Sequence, residues 1–332
     1  MKNSLIRFDH FLNQLQELLA KASKQKNPAL WLYQNNARTP LFMLEGLAKL
    51  YGGIHNKKKF GKLKEQFKLL EDAIGQVDYY DAFARELAAD KKNPAVITNY
   101  LQAQSREKIQ SLNEILIEKK WLGDDNSRIR KIRKKLDKAD WLDEKKDISG
   151  IQGFYISAVN KILGFIHEKD FHFTNVEKDL HEFRRMLRWL SIYPQALRGC
   201  IQLGKSKTAV PKTLSKYLTK AITTSPYNVM PDAGDQEYFL VLDQNRFYAL
   251  SWMIAELGNL KDNGLKTEVI REAILQTGES DEKAAMAKAY KFSGAGHKTI
   301  EQVLAAAENI TKTFCKEKNL ESLITGMAGV KQ

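Results

Sequence analysis

The sequence predicts an all-α protein, and three observations support this fold class. Apolar residues recur at helical spacing, as in Leu41, Leu44, Leu47, Ala48 and Tyr51. Only seven prolines interrupt 332 residues. The one strand-like run, residues 238–242, leads directly into a helical pattern, so we expect it to begin a helix. Roughly ten to twelve helices result, and a helical bundle is the architecture that such a pattern favours.

Turn-forming residues divide the chain in order. Asn27-Pro28, Asn93-Pro94 and Ser225-Pro226 predict helix boundaries, because proline is tolerated at the start of a helix and excluded from its interior. Gly52-Gly53 and residues 124–127 predict loops. The second of these loops precedes a short, strongly basic helix.

The two halves of the chain show a weak internal duplication. In the first half, a helix from Arg38 precedes a long helix that ends in Ala-Ile-Gly-Gln-Val-Asp at residues 73–78. In the second half, a helix from Val176 precedes an insertion and a helix that ends with Leu-Gly-Asn-Leu-Lys-Asp at residues 257–262. Gly75 and Gly258 should therefore occupy equivalent places. We predict an N-terminal helical half at residues 1–140, a C-terminal half at residues 141–280 and a helical extension at residues 281–332.

Composition and motifs exclude several classes of protein. Two distant cysteines, Cys200 and Cys315, form neither a disulfide framework nor a zinc pattern. The N-terminus has no secretory apolar region, and no uncharged run is long enough to span a membrane, so we expect a cytoplasmic protein without membrane insertion. The histidines lie in no metal-binding spacing, and no nucleophile motif occurs. The sequence therefore predicts no cofactor, no metal and no enzymatic activity.

The charge balance points to an anionic partner. Lys and Arg number 53 against 40 Asp and Glu, which gives a formal net charge of +13. Such an excess attracts polyanions, and the cations fall into clusters rather than being spread evenly. The candidate polyanion-binding residues are Arg38, Lys57, Lys58, Lys62, Arg128, Arg130, Arg133, Lys134, His181, Arg184, Arg185, Arg188, Arg198, Lys205, Lys207 and Lys212.

The most distinctive cluster is a basic stripe formed by His181, Arg184, Arg185 and Arg188. This spacing places all four side chains on one face of a helix, while the apolar residues between them fall on the other face. Guanidinium groups bind phosphate oxygens bidentately and stay charged, which suits a phosphate polymer. The alternative is that Arg184 and Arg188 pair with acidic residues on a neighbouring helix.

The residues of this stripe resemble a known family. His181 to Arg188, then Tyr193, then Leu257-Gly258-Asn259-Leu260-Lys261-Asp262 resemble the C-terminal half of the conserved-histidine α-helical domain (CHAD) family. Arg38 and residues 69–81 resemble its N-terminal half, although Gln34 or Asn35 stands where the family has histidine, and Phe42-Met43 where it has a second arginine pair. The resemblance covers residues 28–275.

This resemblance implies two pseudo-symmetric four-helix bundles with a basic surface between them. It also implies that this surface binds inorganic polyphosphate, or a similar phosphate polymer, without catalysis. A helical nucleic-acid-binding protein, with RNA or DNA as its partner, or a scaffold protein is the alternative, because basic stripes alone do not distinguish these polymers.

A competing motif is the segment Gly199 to Ser206, which matches the phosphate-loop pattern G-x-x-x-x-G-K-[ST]. Residues 239–243 resemble the apolar strand and aspartate that hold magnesium in such proteins. However, a phosphate loop follows a buried strand, whereas a helical pattern and Pro194 precede this segment. Trp121 and Trp141, which bracket the basic helix of residues 128–138, could stack on nucleic-acid bases, but we expect them to anchor the core.

Overall fold

Capping residues and prolines set where the helices begin. The computed structural model describes residues 2–123, 127–205, 210–294 and 296–329. The Asn27 side chain accepts a hydrogen bond from the Leu30 amide and caps a helix whose first residue is Pro28. Pro94 and Ser225 precede the next two predicted starts. All three predicted boundaries are therefore confirmed.

The described residues form an all-α fold with one small sheet, so the predicted fold class is confirmed. The helices are α1 (Asn3–Ala22), α2 (Pro28–Gln34), α3 (Arg38–Ile54), α4 (Lys57–Ala89), α5 (Ala95–Glu118), α6 (Ser127–Asp137), α7 (Glu144–Glu168), α8 (Glu182–Ala196), α9 (Lys212–Ser215), α10 (Lys220–Thr223), α11 (Gln244–Gln276), α12 (Glu282–Ser293) and α13 (Ile300–Lys316). A π-helical segment (Val176–His181) leads into α8, and a 3₁₀ turn covers Pro226–Asn228.

The sheet corrects one prediction. Residues 238–242 do not begin a helix but lie in the strand β2 (Tyr238–Asp243), between β1 (Ile201–Gly204), which is parallel to it, and β3 (Ile324–Gly329), which is antiparallel. The β-branched and aromatic run finds backbone partners that are distant in sequence, and α11 begins only after it. Non-local pairing therefore overrides the local helical pattern.

A second correction concerns Gly52-Gly53, which we predicted as a loop. Helix α3 continues through both glycines and ends at Ile54. The neighbouring Tyr51 is fully buried, and it packs on Phe60 of α4. The packing of Tyr51 in this last turn stabilises the helix by more than the two helical glycines destabilise it.

The chain divides into two compact units. Unit 1 comprises Met1–Trp141 with Lys266–His297, and unit 2 comprises Leu142–Leu265 with Lys298–Gln332. In unit 1, α3 packs extensively on α4, and α4 packs on α5. In unit 2, α7 packs on α8 and on β2, and the π-helical segment contacts α13. Each unit buries the apolar faces that the sequence predicts, including Leu41, Leu44, Leu47, Phe60, Leu63 and Phe67 in unit 1 and Leu180, Phe183, Leu187 and Leu190 in unit 2.

One local arrangement occurs once in each unit. In unit 1, the Arg38 guanidinium lies against Gly75 so closely that an added Cβ would stand 2.7 Å from one of its nitrogens. In unit 2, the Arg184 guanidinium lies in the same way against Gly258, with a corresponding distance of 3.0 Å. The glycines belong to α4 and α11, both of 33 residues. This agrees with the predicted equivalence of Gly75 and Gly258.

Among the described residues, no helix combines the length and the apolar character needed to cross a membrane.

The glycine at the start of the phosphate-loop-like motif gives a test of the fold. Gly199 has φ +88°, and an added Cβ would overlap the Asp232 carbonyl. We expect Gly199→Ala to lower the free energy of unfolding by at least ~2 kcal/mol, through backbone strain and this overlap. Gly153→Ala is the matched control, because Gly153 lies inside α7 with open space around it and should gain up to ~1 kcal/mol. Urea unfolding of both variants measures the difference, and a Gly199→Ala protein as stable as the wild type would contradict it.

Candidate functional site: a basic groove and an arginine stripe

A groove lined by cations lies between α4 and α6 of unit 1. Its volume is about 430 Å³, and its lining residues are Lys59, Gln66, Arg128, Lys131, Ile132, Lys134, Lys135 and Lys138. Ile132 is buried in the core of the unit and anchors α6 beneath its basic face. Among the described residues, six of the eight that line the groove carry a positive charge and none carries a negative one.

The spacing within α6 explains why these side chains converge. Arg128, Lys131, Lys135 and Lys138 follow one another at intervals of three, four and three residues, which places them on one helical face. The apolar residues Ile129, Ile132 and Leu136 occupy the opposite face and are buried. The helix C-terminus also favours cations, so the lysines of the last turn are stabilised by the helix dipole.

Two of the groove cations are fixed by hydrogen bonds. The Lys59 ammonium donates to the Lys138 carbonyl at 2.9 Å. The Arg128 guanidinium donates to the Lys119 carbonyl at 2.7 Å and to Gln66 at 3.2 Å, and it lies over the Trp121 ring. These bonds use backbone carbonyls and an amide, so the positive charges of both side chains remain uncompensated.

The remaining groove lysines face solvent. Lys131, Lys134, Lys135 and Lys138 are exposed, and among the described residues no carboxylate lies within ion-pair distance of any of them. Like charges this close repel one another. Within the part of the chain that the structure describes, the groove thus combines high positive charge with no paired carboxylate, which is the condition under which an external anion binds.

Sequence reasoning identified only part of this groove. Arg128 and Lys134 were predicted, but Lys59, Lys131, Lys135 and Lys138 were not among the candidate site residues. The three-four-three spacing from Arg128 to Lys138 is a signal that could have found the α6 side of the groove. The side chains on α4 could not be identified in this way, because they join the groove only when two helices more than sixty residues apart in sequence pack together.

Several other predicted site residues are engaged in internal contacts. Arg133 pairs with Asp9 and donates to Asn13 on α1 at 2.6 Å. Arg38 donates to Glu71 at 2.5 Å and to Asp78 at 3.3 Å. In both cases the positive charge is neutralised within unit 1, so these arginines contribute less to an anion-binding surface than the sequence suggested.

The remaining predicted residues are dispersed. Lys57, Lys58, Lys62 and Arg130 are exposed residues of α4 and α6, and Arg198, Lys205 and Lys212 are exposed in unit 2. Lys207 lies outside the described residues. None of these lines the groove, although Lys62 lies one helical turn from Lys59 on α4.

The basic stripe in unit 2 differs from the stripe that the sequence predicts. The His181 ring bonds the Glu177 carboxylate at 2.8 Å and holds the Glu177 pKa below its ordinary value. Arg185 pairs with Glu182. Arg184 is half-buried, and its Nε donates to the Ile254 carbonyl of α11 at 3.1 Å. Arg188 is half-buried on the same helix. The four residues share the π-helical segment and α8, but two of them are already paired with acids.

The described part of the phosphate-loop motif, Gly199 to Lys205, does not form a loop around a phosphate site. Residues 201–204 lie in β1 and pair with Leu240 to Asp243, so the backbone that would have to wrap a phosphate is extended and bonded in a sheet. Ser206, which would hold magnesium, lies outside the described residues. The described part of the segment therefore argues against nucleotide binding.

The aromatic residues near the groove are not available for stacking. Trp121 is almost fully buried, and the Trp141 ring packs among Tyr51, Phe60 and Phe8. Both therefore anchor the core of unit 1, as the sequence predicts.

A buried acidic pair lies behind Arg38 in unit 1. Glu45 and Glu71 are both buried, and desolvation, followed by the charge of Glu71, raises the pKa of Glu45 to about 7. Burial also raises the pKa of Glu71, although Arg38 opposes this shift. Proton uptake by Glu45 therefore accompanies folding of unit 1 at pH values between its unfolded pKa and about 7.

Comparisons with known protein families, with curated proteins and with solved structures found no match to this chain.

Glu45 gives a pH-dependent test of this arrangement. Because its pKa is raised on folding, the stability it contributes is present at low pH and falls as the pH rises from about 4.5 to 7. We expect Glu45→Gln to gain stability relative to the wild type between pH 5 and pH 8, by roughly 2 kcal/mol. Denaturant unfolding at both pH values measures this, with the exposed Glu65→Gln as the control. A difference that is constant with pH would contradict the expectation.

Proposed function

We propose that this protein binds a linear phosphate polymer, with inorganic polyphosphate as the best-fitting ligand, in the groove between α4 and α6. The observation that carries the proposal is a groove lined, among the described residues, by six cations and no carboxylate. Anionic polymers bind such surfaces largely by releasing counterions, and this requires neither a precise pocket nor a reactive group. We propose no catalytic step.

The dimensions of the groove suit a chain rather than a single anion. Helix α6 has 11 residues, so its basic face extends for about 16 Å. A compact anion would neutralise one or two of the cations along this length and leave the others repelling one another. A flexible polymer with a negative charge on each unit can neutralise all of them at once.

The absence of a stacking surface favours polyphosphate over single-stranded nucleic acid. Proteins that bind single strands combine a basic groove with exposed aromatic rings on which the bases stack. No aromatic residue of the described ranges lines this groove, and Trp121 is covered by the Arg128 guanidinium. A phosphate chain has no bases to stack, so the lack of exposed rings does not weaken its binding.

Charge reversal in the groove tests the proposal. We expect the double variant Lys131→Glu and Lys134→Glu to weaken binding of long polyphosphate by at least about tenfold at moderate salt, because two charges change sign and the net charge of the site falls by four units. Both side chains are exposed, so the melting temperature should change little. Fluorescence anisotropy with labelled polyphosphate and a circular-dichroism melt measure the two quantities.

The matched control carries the same change in net charge at the other end of α4. Lys91 and Lys92 are exposed and follow the C-terminus of that helix, about 38 Å along its axis from Gln66. Lys91→Glu with Lys92→Glu should leave the affinity within about threefold of the wild type, since only the long-range charge term changes. Equal losses in both variants would show that net charge, and not the groove, accounts for binding.

Salt dependence and competition give an independent test. If about five cations are neutralised, the logarithm of the binding constant should fall with the logarithm of the salt concentration with a slope of roughly −3.5. The groove variant should flatten this slope by about 1 or more. Tighter binding of RNA than of polyphosphate at the same salt concentration would overturn the choice of ligand.

A further inference from the structure

Residues 225–230 of unit 2 form an exposed turn that follows α10. Two of its apolar side chains are the most exposed large ones among the described residues of that unit, Tyr227 with 80% of its surface exposed and Val229 with 67%. Pro226 is exposed beside them, whereas Asn228, between the two, is buried. The backbone therefore directs the side chains at 227 and 229 outward and the one at 228 inward. A group of neighbouring exposed apolar residues is typical of a surface that contacts another molecule.

Hydrogen bonds from the inner side hold this turn in place. The Asn228 side chain donates to the Ile222 carbonyl at 2.8 Å and accepts from the Ser251 hydroxyl at 2.6 Å. The Gln195 amide donates to the carbonyls on either side of Asn228, at 3.2 and 2.8 Å. The turn is thus fixed to α8, α10 and α11. Because its backbone is already ordered, a partner that covers the two outward side chains pays little conformational entropy.

The polar groups of the turn are bonded within the protein. The amides of Ser225, Asn228 and Val229 each donate to the carbonyl three residues earlier. The hydroxyl of Thr224, just before the turn, donates to the Lys220 carbonyl at 2.8 Å. Polar groups that are bonded internally do not need water, so they lower the cost of moving the turn into a dehydrated environment. This favours a lipid surface over a protein partner, since protein interfaces carry about one hydrogen bond per 100–200 Å².

The charge of the surrounding segment indicates which lipids would bind. Residues 210–231 contain three lysines and no aspartate or glutamate. Lys216 is paired with Glu317, but Lys212 and Lys220 are exposed, and no carboxylate among the described residues lies within ion-pair distance of either. A basic segment with apolar side chains at its surface is attracted to anionic headgroups.

The fold places Lys220 beside the exposed turn. Lys220 begins α10, and the carbonyl of Ile222, two residues later, accepts the Asn228 hydrogen bond. The nearest acid along the chain, Asp232, comes after the backbone has returned to β1, where the Gln202 side chain donates to the carbonyl of residue 231 at 2.9 Å. The lysine is therefore the charged residue that accompanies the apolar side chains of the turn.

We propose that the exposed turn is a docking site for an anionic lipid surface, with Tyr227 and Val229 in the interfacial region and Lys220 on the headgroup phosphates. Tyrosine suits this depth because its ring is apolar while its hydroxyl stays hydrated. Two apolar side chains and a lysine give a reversible, peripheral attachment. The site lies in unit 2 and does not rest on the proposed polymer binding.

Flotation of the full-length protein with lipid vesicles tests the proposal. We expect the protein to float with vesicles of equal parts phosphatidylcholine and phosphatidylglycerol, and to bind vesicles of phosphatidylcholine alone at least about tenfold more weakly. Equal binding to both kinds of vesicle, or no binding to either, would overturn the proposal.

A double variant locates the contact in the turn. Tyr227→Ser with Val229→Ser should weaken binding to the anionic vesicles by at least about fivefold, because the apolar surface that enters the interface is lost. Both side chains are exposed, so the melting temperature should change little. Val96→Ser with Ile117→Ser is the matched control, since it removes two exposed apolar side chains from α5 in unit 1 and should leave binding within about twofold of the wild type.

Two results with these variants would refute the assignment. Undiminished vesicle binding by the turn variant would show that lipid contacts another surface, and would leave the turn to a protein partner. Equal losses in the turn variant and its control would show that exposed apolar residues act without regard to position.

Charge variants separate lipid binding at the turn from anion binding in the groove. Lys220→Glu should weaken binding to the anionic vesicles by about threefold or more, and by more than Lys91→Glu, which changes the net charge equally. Lys131→Glu with Lys134→Glu should lower vesicle binding no more than the control pair Lys91→Glu with Lys92→Glu. A larger loss in the groove variant would place the lipid in the groove and overturn docking at the turn. A wild-type protein that binds anionic vesicles but not polyphosphate would refute the proposed function and leave the docking site standing.

Discussion

In each unit, an arginine side chain lies close against a helical glycine, and this contact determines where the positive charge of the arginine lies. A guanidinium is flat and carries five donors, and it can lie on a helix only where no Cβ projects. Gly75 and Gly258 provide such places in the middle of two 33-residue helices. The interior placement of each glycine costs helix stability, and the arginine contact offsets this cost.

The group that neutralises each arginine then determines how much positive charge the surrounding surface keeps. Glu71 is buried, and its bond to Arg38 joins α3 to α4 within the main helical contact of unit 1. Arg38 and Arg133 are both paired with carboxylates of unit 1, whereas the exposed lysines of α6 have no such partner among the described residues. A net charge of +13 is therefore unevenly distributed, because some cations stabilise the fold and others remain available to an external anion.

Local periodicity accounts for the parts of the fold that the sequence predicted. The apolar faces of α3 and α4 are buried as expected because helical spacing alone determines which residues share a face. Residues 238–242 could not be assigned correctly in this way, since β2 depends on hydrogen bonds to Ile201–Gly204 and Ile324–Gly329, which no local pattern reports. The same limit applies to the site. Spacing places Arg184 and Arg185 on one helix face, but the carbonyl of Ile254 and the carboxylate of Glu182 determine where the guanidinium groups point.

The exposure of the groove lysines determines what kind of attraction they exert on an anion. They carry like charges and are exposed, so each contributes a largely non-directional attraction, which salt screens effectively. Arg184 differs, because it is half-buried and its Nε is fixed on the Ile254 carbonyl. If the groove binds a phosphate chain as proposed, the affinity should rise with chain length, because a longer chain neutralises more of the lysines along α6.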